Sequence, residues 1–243
     1  MKCAIVVGAS SGIGREVAKL LLAGGWRLGV AARREDKLNE LKAVSPAMVE
    51  VCRIDVTAAD AADRLLALAE KLGSVDLFVY CSGVGKQNPG LDRDVELATV
   101  GVNVTGFTQM VDTMFAYMAK RKGGHIAVIS SIAGTKGLGV APSYSATKAY
   151  QNTYIQALEQ LSNMRGLNIR FTDIRPGFVD TDLLAGSGCY PMLMDKTAVA
   201  RKLLRAVGFR RHVSVIDWRY RFLVFFWRLI PNWLWRRLKI SNK

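Results

Sequence analysis

Seven short Val/Ile-rich runs, separated by longer segments with helical periodicity, constrain this chain more than any other feature of it. The strand candidates are 3–7, 27–31, 49–54, 75–80, 125–130, 168–174 and 213–216. Helical patterns lie between them, over 12–23, 34–43, 59–72, 95–121 and 144–164. Leu38 and Leu41 recur at helical spacing in the second of these, and Leu65, Leu66, Ala69 and Leu72 in the third. Continuously apolar strands joined by helices form a parallel sheet covered on both faces. No repeat, linker or low-complexity stretch divides the 243 residues. The expected fold is α/β: one doubly wound domain over 1–217 with a mostly parallel seven-stranded sheet. A C-terminal amphipathic helical extension follows over 218–243.

Such sheets bind ligands beyond the carboxyl ends of their strands, near the reversal of strand order. Every chemically suggestive motif here falls at such an end. After the first strand comes Gly8-Ala9-Ser10-Ser11-Gly12-Ile13-Gly14 and then a helical run. Glycines allow the strand to turn sharply into a helix, whose free N–H groups and partial positive charge suit a pyrophosphate. The spacing is G-x-x-x-G-x-G, and its place in a βαβ pattern gives it meaning as a dinucleotide loop. The second strand ends Ala31-Ala32-Arg33-Arg34. A carboxylate there would hold the 2′-hydroxyl of NAD, whereas arginines suit the 2′-phosphate of NADP. Arg15 is placed to join that pocket. The alternative is a solvated basic loop.

Tyr144 and Lys148 are four apart and share a helix face. An ammonium beside a phenol favours the phenolate and makes tyrosine a usable acid/base. Chance alone supplies roughly 0.4 such pairs in this composition, so the pair needs its context. Ser130-Ser131, ending a strand thirteen residues earlier, supplies it. Ser131 can hydrogen-bond a carbonyl and its developing oxyanion. Either serine can instead cap the segment that follows.

Gly8, Gly12 and Gly14, the run Cys81-Ser82-Gly83-Val84-Gly85, Asn103, Ser131, the Tyr144/Lys148 pair and Pro176-Gly177 stand in a familiar order and spacing. Residues 3–185 resemble the short-chain dehydrogenases/reductases. The resemblance implies a Rossmann-type domain and a carbonyl reductase using a nicotinamide cofactor, which the two arginines after the second strand make NADP(H). Tyr144 is then the proton donor, Lys148 tunes it and holds the nicotinamide ribose, Ser131 orients the carbonyl, and Asn103 supports a water relay to Lys148. Cofactor contacts are implied at Gly8, Ser10, Ser11, Gly12, Ile13 and Gly14, with Arg33 and Arg34 beyond the second strand. Asp55 and Val56 match the adenine contacts, Ser82 and Gly83 the loop after the fourth strand. Pro176, Gly177, Val179 and Thr181 match the nicotinamide contacts. The family's Asn-Asn-Ala-Gly reads Cys81-Ser82-Gly83-Val84 here, which keeps a small loop and loses the amides. A substrate lid is implied over about 178–200, with Gly186-Ser187-Gly188 inside it. The helices 95–121 and 144–164 match those through which relatives form dimers or tetramers.

Charge is concentrated at one end. Of a net +14, residues 201–243 carry +11, from 12 Lys/Arg and the single acid Asp217. Four of the five tryptophans lie there too. Basic charge interleaved with bulky apolar residues suits an anionic membrane surface better than a nucleic-acid groove. The longest uncharged run of that extension, 229–235, is far below a membrane span. Arg221 and Arg228, seven apart, share one face, and Pro231 breaks the helix. An interfacial helix pair and packing in the core or an oligomer both remain open. Membrane contact would imply a hydrophobic substrate, and the tail's placement is similar to the 3-ketodihydrosphingosine reductase branch. Cys3, Cys52, Cys81 and Cys189 lack metal-ligand spacing with His125 and His212, so no metal site is expected. The apolar run near Met1 is too short for a signal peptide, so a cytoplasmic protein is expected. The expected function is NADPH-dependent reduction of a ketone, on a lipid-like substrate such as a long-chain 3-keto compound. The alternatives are a small-ketone or sugar reductase with a packing-only tail, and a non-catalytic NADP(H)-binding scaffold.

Overall fold

All five residues of the first strand, β1 (Cys3–Val7), are buried, as a strand covered on both faces requires. Ala4 and Val6 point into one core layer, Ile5 and Val7 into the other. The computed structural model describes residues 1–184 and 190–240. After β1 come α1 (Gly12–Ala23), β2 (Arg27–Ala32), α2 (Glu35–Val44), β3 (Val49–Arg53), α3 (Ala61–Leu72) and β4 (Leu77–Tyr80). The second half runs α4 (Arg93–Val100), α5 (Phe107–Ala119), β5 (Gly124–Ile129), α6 (Pro142–Met164), β6 (Ile169–Arg175), α7 (Lys196–Gly208), β7 (Val213–Val215), α8 (Trp218–Leu229) and α9 (Asn232–Trp235).

The seven strands form one sheet in the order β3-β2-β1-β4-β5-β6-β7, with every pairing parallel. The expected doubly wound Rossmann-type sheet is therefore present. Side chains of α1, α2, α7 and α8 fill one layer, and those of α3, α5 and α6 the other. Strand order reverses between β1 and β4, which opens the crevice for a ligand there.

Two expectations change. The helix expected over 95–121 runs from Arg93 to Ala119 with a π-helical stretch, Gly101–Gly106, in its middle. Its wider turn re-aims backbone groups, and Asn103 sits inside it. The lid expected over 178–200 is not one segment: from Lys196 onward it is α7, with Val199 and Ala200 buried beside α1. Before that, Val179 pairs with Met194 in a parallel bridge, so the two limbs form a strap. Gly186, Ser187, Gly188 and Cys189 lie outside the described residues. The extension joins the domain on one side, because Tyr220 and Val224 of α8 belong to the core. Among the described residues no helix is long and apolar enough to cross a membrane.

Candidate active site

Gly8 leaves β1 at φ +88°, and a Cβ there would lie 2.7 Å from the backbone nitrogen of Ser82. A Cβ at Gly14 would fall 2.3 Å from the carbonyl oxygen of Gly8. Backbone packed this tightly excludes any side chain, and that close packing shapes the turn into α1. Ser11 caps α1 without a side-chain hydrogen bond to its first turn, so the first-turn N–H groups are not claimed by the cap. Ile13 is half-buried against the core. Gly12 faces Thr181, whose Cγ2 would lie 3.2 Å from a Cβ there, so the strap after β6 closes onto the loop.

Arg34 reaches back from the end of β2 to this loop. Its guanidinium donates to Ser11 Oγ at 2.7 Å and to Ser10 Oγ at 3.2 Å. Arg33 is exposed, and its charge helps hold the Asp55 carboxyl low. Asp55 accepts from the backbone N–H of Thr57 at 3.0 Å, and this bond chiefly holds its carboxyl below the usual range. Val56, beside it, is buried against Gly106. Arg15 does not join the pocket, because it is paired with Glu40 at 2.6 Å.

Ser131, Tyr144 and Lys148 come together past the end of β5. Pro142 opens α6 at its first turn, where the missing N–H does no harm. Tyr144, Lys148 and Gln151 then follow on one face of that helix. The Ser131 hydroxyl is near enough to the Tyr144 phenol to favour a lower pKa there, and it donates to the carbonyl of Pro176 at 3.4 Å. It also accepts from the N–H of Ala133 at 3.1 Å, so the capping role is real as well. Ser130 turns away and donates to Asp173, which is paired with Arg175 at 2.7 Å.

Lys148 is buried and differs from expectation in one respect. Its ammonium donates to the carbonyl of Ile129 at 3.2 Å and to Gln151 Oε1 at 2.9 Å, and lies 5.8 Å from the centre of the Tyr144 ring. The phenol is accordingly not lowered: burial pushes its pKa up, against the Ser131 hydrogen bond. Burial pulls Lys148 down to about 8, opposed by the charge of Asp173.

Gln151 is the residue that sequence reasoning missed. Fully buried, it donates through Nε2 to the carbonyl of Asn103 at 2.9 Å while accepting from Lys148. The π-helical stretch presents that carbonyl. A side-chain amide therefore joins the Asn103 carbonyl to Lys148. The Asn103 side chain has another task, exchanging two hydrogen bonds with Val84, at 2.9 and 2.7 Å, which hold the loop after β4. That loop brings Ser82 against Gly8, and Gly83 beside Asn103 and Lys148. The available signal was a polar amide at i+3 from Lys148, on a face that continues to Ile155 and Leu158.

On the far side, the carbonyl of Pro176 accepts from the N–H of Ile132 at 3.1 Å, tying the end of β6 to the turn after Ser131. Tyr220 of α8 lies under Gly177, and its hydroxyl accepts from the N–H of Phe178 at 3.1 Å. The same hydroxyl faces the carbonyls of Pro191 and Met192 at 3.1 and 3.2 Å. Val179 is buried, and Thr181 donates to its carbonyl at 3.3 Å.

A family model described as short chain dehydrogenase matches residues 2–188. This chain belongs to that family. A short-chain dehydrogenase is an oxidoreductase on a fold that binds a nicotinamide cofactor. An uncharacterized oxidoreductase of Myxococcus xanthus is 37% identical over 197 residues, 79% of this chain and 77% of that one. Glycine betaine reductase ATRR of Emericella nidulans is 35% identical over 234 residues, 88% of this chain and 18% of that longer protein. In three dimensions, a short-chain dehydrogenase from Streptomyces avermitilis superposes with TM-score 0.81 at 22% identity, covering 94% of this chain and 91% of its own. An alcohol dehydrogenase from Thermococcus sibiricus, complexed with 5-hydroxy-NADP, gives 0.76 at 23%, over 89% and 96%. The residues of this short-chain dehydrogenase fit such a cofactor: Gly8 and Gly14 keep the turn clear of side chains, and Arg34 adds a cation beside it.

Proposed function

We propose that this protein reduces a ketone to a secondary alcohol with NADPH, on a hydrophobic, lipid-like substrate such as a long-chain 3-keto compound. The observation that carries the reading is the convergence of Ser131, Tyr144 and Lys148 at the carboxyl end of β5. Gly8, Gly12, Gly14 and the first turn of α1 would hold the pyrophosphate, Arg34 the 2′-phosphate, and Lys148 with the 176–181 strap the nicotinamide end. Bound there, NADPH supplies a hydride to the carbonyl carbon. Ser131 donates a hydrogen bond to the carbonyl oxygen and keeps it facing Tyr144. The Tyr144 O–H bond breaks as its proton passes to that oxygen, and the Lys148 ammonium stabilises the phenolate left behind. A phenol whose pKa is raised by burial stays protonated at neutral pH, which suits reduction.

Gln151 positions the ammonium in this scheme. Reduction loses rate as pH rises through the Lys148 pKa of about 8, because the cation is lost. Gln151→Leu removes an acceptor from a buried ammonium, so this alkaline limb moves to lower pH. Gln151→Glu adds a carboxylate beside it and moves the limb upward. Opposite shifts in the pH profile of kcat/KM are expected, and equal shifts would reduce Gln151 to packing.

NADPH is favoured because β2 is followed directly by Arg33 and Arg34, where a carboxylate would meet the 2′-hydroxyl of NADH. Arg34→Ala is expected to raise KM for NADPH by roughly 10–100-fold, the weight of a charge-assisted hydrogen bond, with little effect on NADH. The lipid-like substrate is supported by the apolar tail beside the site and by its placement, which is similar to that of the 3-ketodihydrosphingosine reductase branch. The test is NADPH consumption with a long-chain 3-keto amino-alcohol in mixed micelles, beside a short-chain β-keto ester. Selective turnover of the long-chain ketone is the expected result. Turnover of the short ester alone would remove the lipid-like substrate and keep the reductase. Tight NADPH binding without turnover of any ketone would leave a binding scaffold.

A further inference from the structure

Helix α8 has two apolar faces, and the fold uses one. Tyr220 and Val224 are buried in the core, with Leu223 and Trp227 partly covered. On the opposite side Trp218, Phe222, Phe225, Phe226 and Leu229 recur at i, i+4, i+7, i+8 and i+11, a single helical stripe. These five side chains are between 58% and 65% exposed, and Trp233 of α9 is 62% exposed. Arginines border it: Arg219 on one flank, Arg221 and Arg228 on the other, and Arg236, Arg237 and Lys239 beyond. The only acid from residue 201 onward, Asp217, is engaged by Arg219 at 2.9 Å and Lys202 at 3.6 Å.

We propose that this face is a docking surface for an anionic lipid bilayer. Exposed aromatic rings enter the boundary between headgroups and acyl chains, and the arginine rim meets lipid phosphates with opposite charge. The fold gives no other account of the stripe, because the core-facing side of α8 already anchors the helix. A second copy of this chain is a poorer occupant: a symmetric contact would bring two arginine rims together without acids to offset them. The docked surface also has an orientation. α8 lies against the turn that follows Ser131. The tail is pinned to the next loop by Lys136, which donates to Asn232 Oδ1 at 2.7 Å, and by Trp235, whose indole N–H donates to the carbonyl of Gly137 at 2.7 Å. Lipid contact therefore places the side of the domain that carries Ser131 and its following loop at the membrane.

Docking does not depend on turnover, so it is tested by binding. The full chain is floated with vesicles of phosphatidylcholine alone and of an equal mixture with phosphatidylglycerol. Association with the mixed vesicles is expected, with a substantial part surviving high salt. The triple variant Phe222→Ser/Phe225→Ser/Phe226→Ser is expected to bind at least ~100-fold more weakly. It should keep the wild-type melting temperature, because the three rings touch solvent. Arg228→Ala/Arg236→Ala is expected to lose roughly 25-fold, at about 1 kcal/mol per charge. Failure of the wild type to float with mixed vesicles overturns the proposal, as does a triple variant that floats like the wild type. An oligomer in lipid-free buffer that the triple variant dissociates, with no lipid binding by either, would assign the face to a second copy.

Discussion

Replacing Tyr144 with phenylalanine is expected to lower ketone reduction by about 10³-fold while leaving NADPH affinity within a few-fold of wild type. The ring is held by shape: a Cβ at Gly85 would lie 2.6 Å from Tyr144 Cδ2, so the aromatic face packs directly on that glycine. Phenylalanine fills the same space and keeps α6 in place. Only the O–H is lost, and with it the proton for the carbonyl oxygen. Ser131 cannot substitute, since a serine hydroxyl is a far weaker acid than a phenol. Single-turnover kinetics on the ketone the wild type prefers, beside fluorescence titration of NADPH, separate chemistry from binding. Activity within tenfold of wild type would require another proton donor. Weakened NADPH binding of the same size as the rate loss would make Tyr144 a cofactor contact and not an acid.

Gly177→Val is expected to be the most damaging single change outside the catalytic set. A Cβ at Gly177 would sit 2.1 Å from Tyr220 Cζ, with two further ring carbons at 2.3 and 2.4 Å. Tyr220 has no room to yield, being fully buried in the core layer that also holds Val199, Leu203 and Val224. Its hydroxyl joins Phe178 to Pro191 and Met192, so displacing the ring releases both limbs of the strap that carries Val179 and Thr181. Overpacking of this kind costs about 3 kcal/mol, or roughly 10 °C of melting temperature for a domain of this length. NADPH affinity should fall with it. Tyr220→Ala in the same chain opens the space, so the double variant should be less destabilised than the two single losses added together. Additive losses, or an unchanged melting temperature for Gly177→Val, would show that β6 and α8 do not depend on this contact.

The two variants probe features of different legibility. Tyr144 and Lys148 could be read from the chain because a spacing of four on a helix fixes two side chains on one face, whatever surrounds them. The Gly8-to-Gly14 loop was readable for the same reason: a turn from strand to helix is made by covalent neighbours. Alternation of apolar runs with helical segments was enough for a parallel doubly wound sheet, since strands covered on both faces have no polar side to show. The damped expectation was the pKa of Tyr144. Neighbours in sequence suggested an ammonium beside a phenol, whereas packing turned that ammonium toward Ile129 and Gln151 and buried the phenol.

The tail shows the same limit from the other direction. Its charge and tryptophans were plain in composition, but both an interfacial and a packed helix agreed with them. Tertiary structure turned Tyr220 and Val224 inward and left the aromatic stripe of α8 outward. The sequence by itself determined the seven strands, the dinucleotide turn and the Tyr144/Lys148 face, because each depends on backbone periodicity over a few residues. Only the tertiary structure decided that Gln151 joins Lys148 to Asn103, that Tyr220 lies under Gly177, and that Arg34 rather than Arg15 reaches the loop. Those partners stand between 23 and 48 residues apart where hydrogen bonds join them to Ser11 and Asn103. At such separations contacts follow from how helices settle on the sheet, which no local pattern encodes.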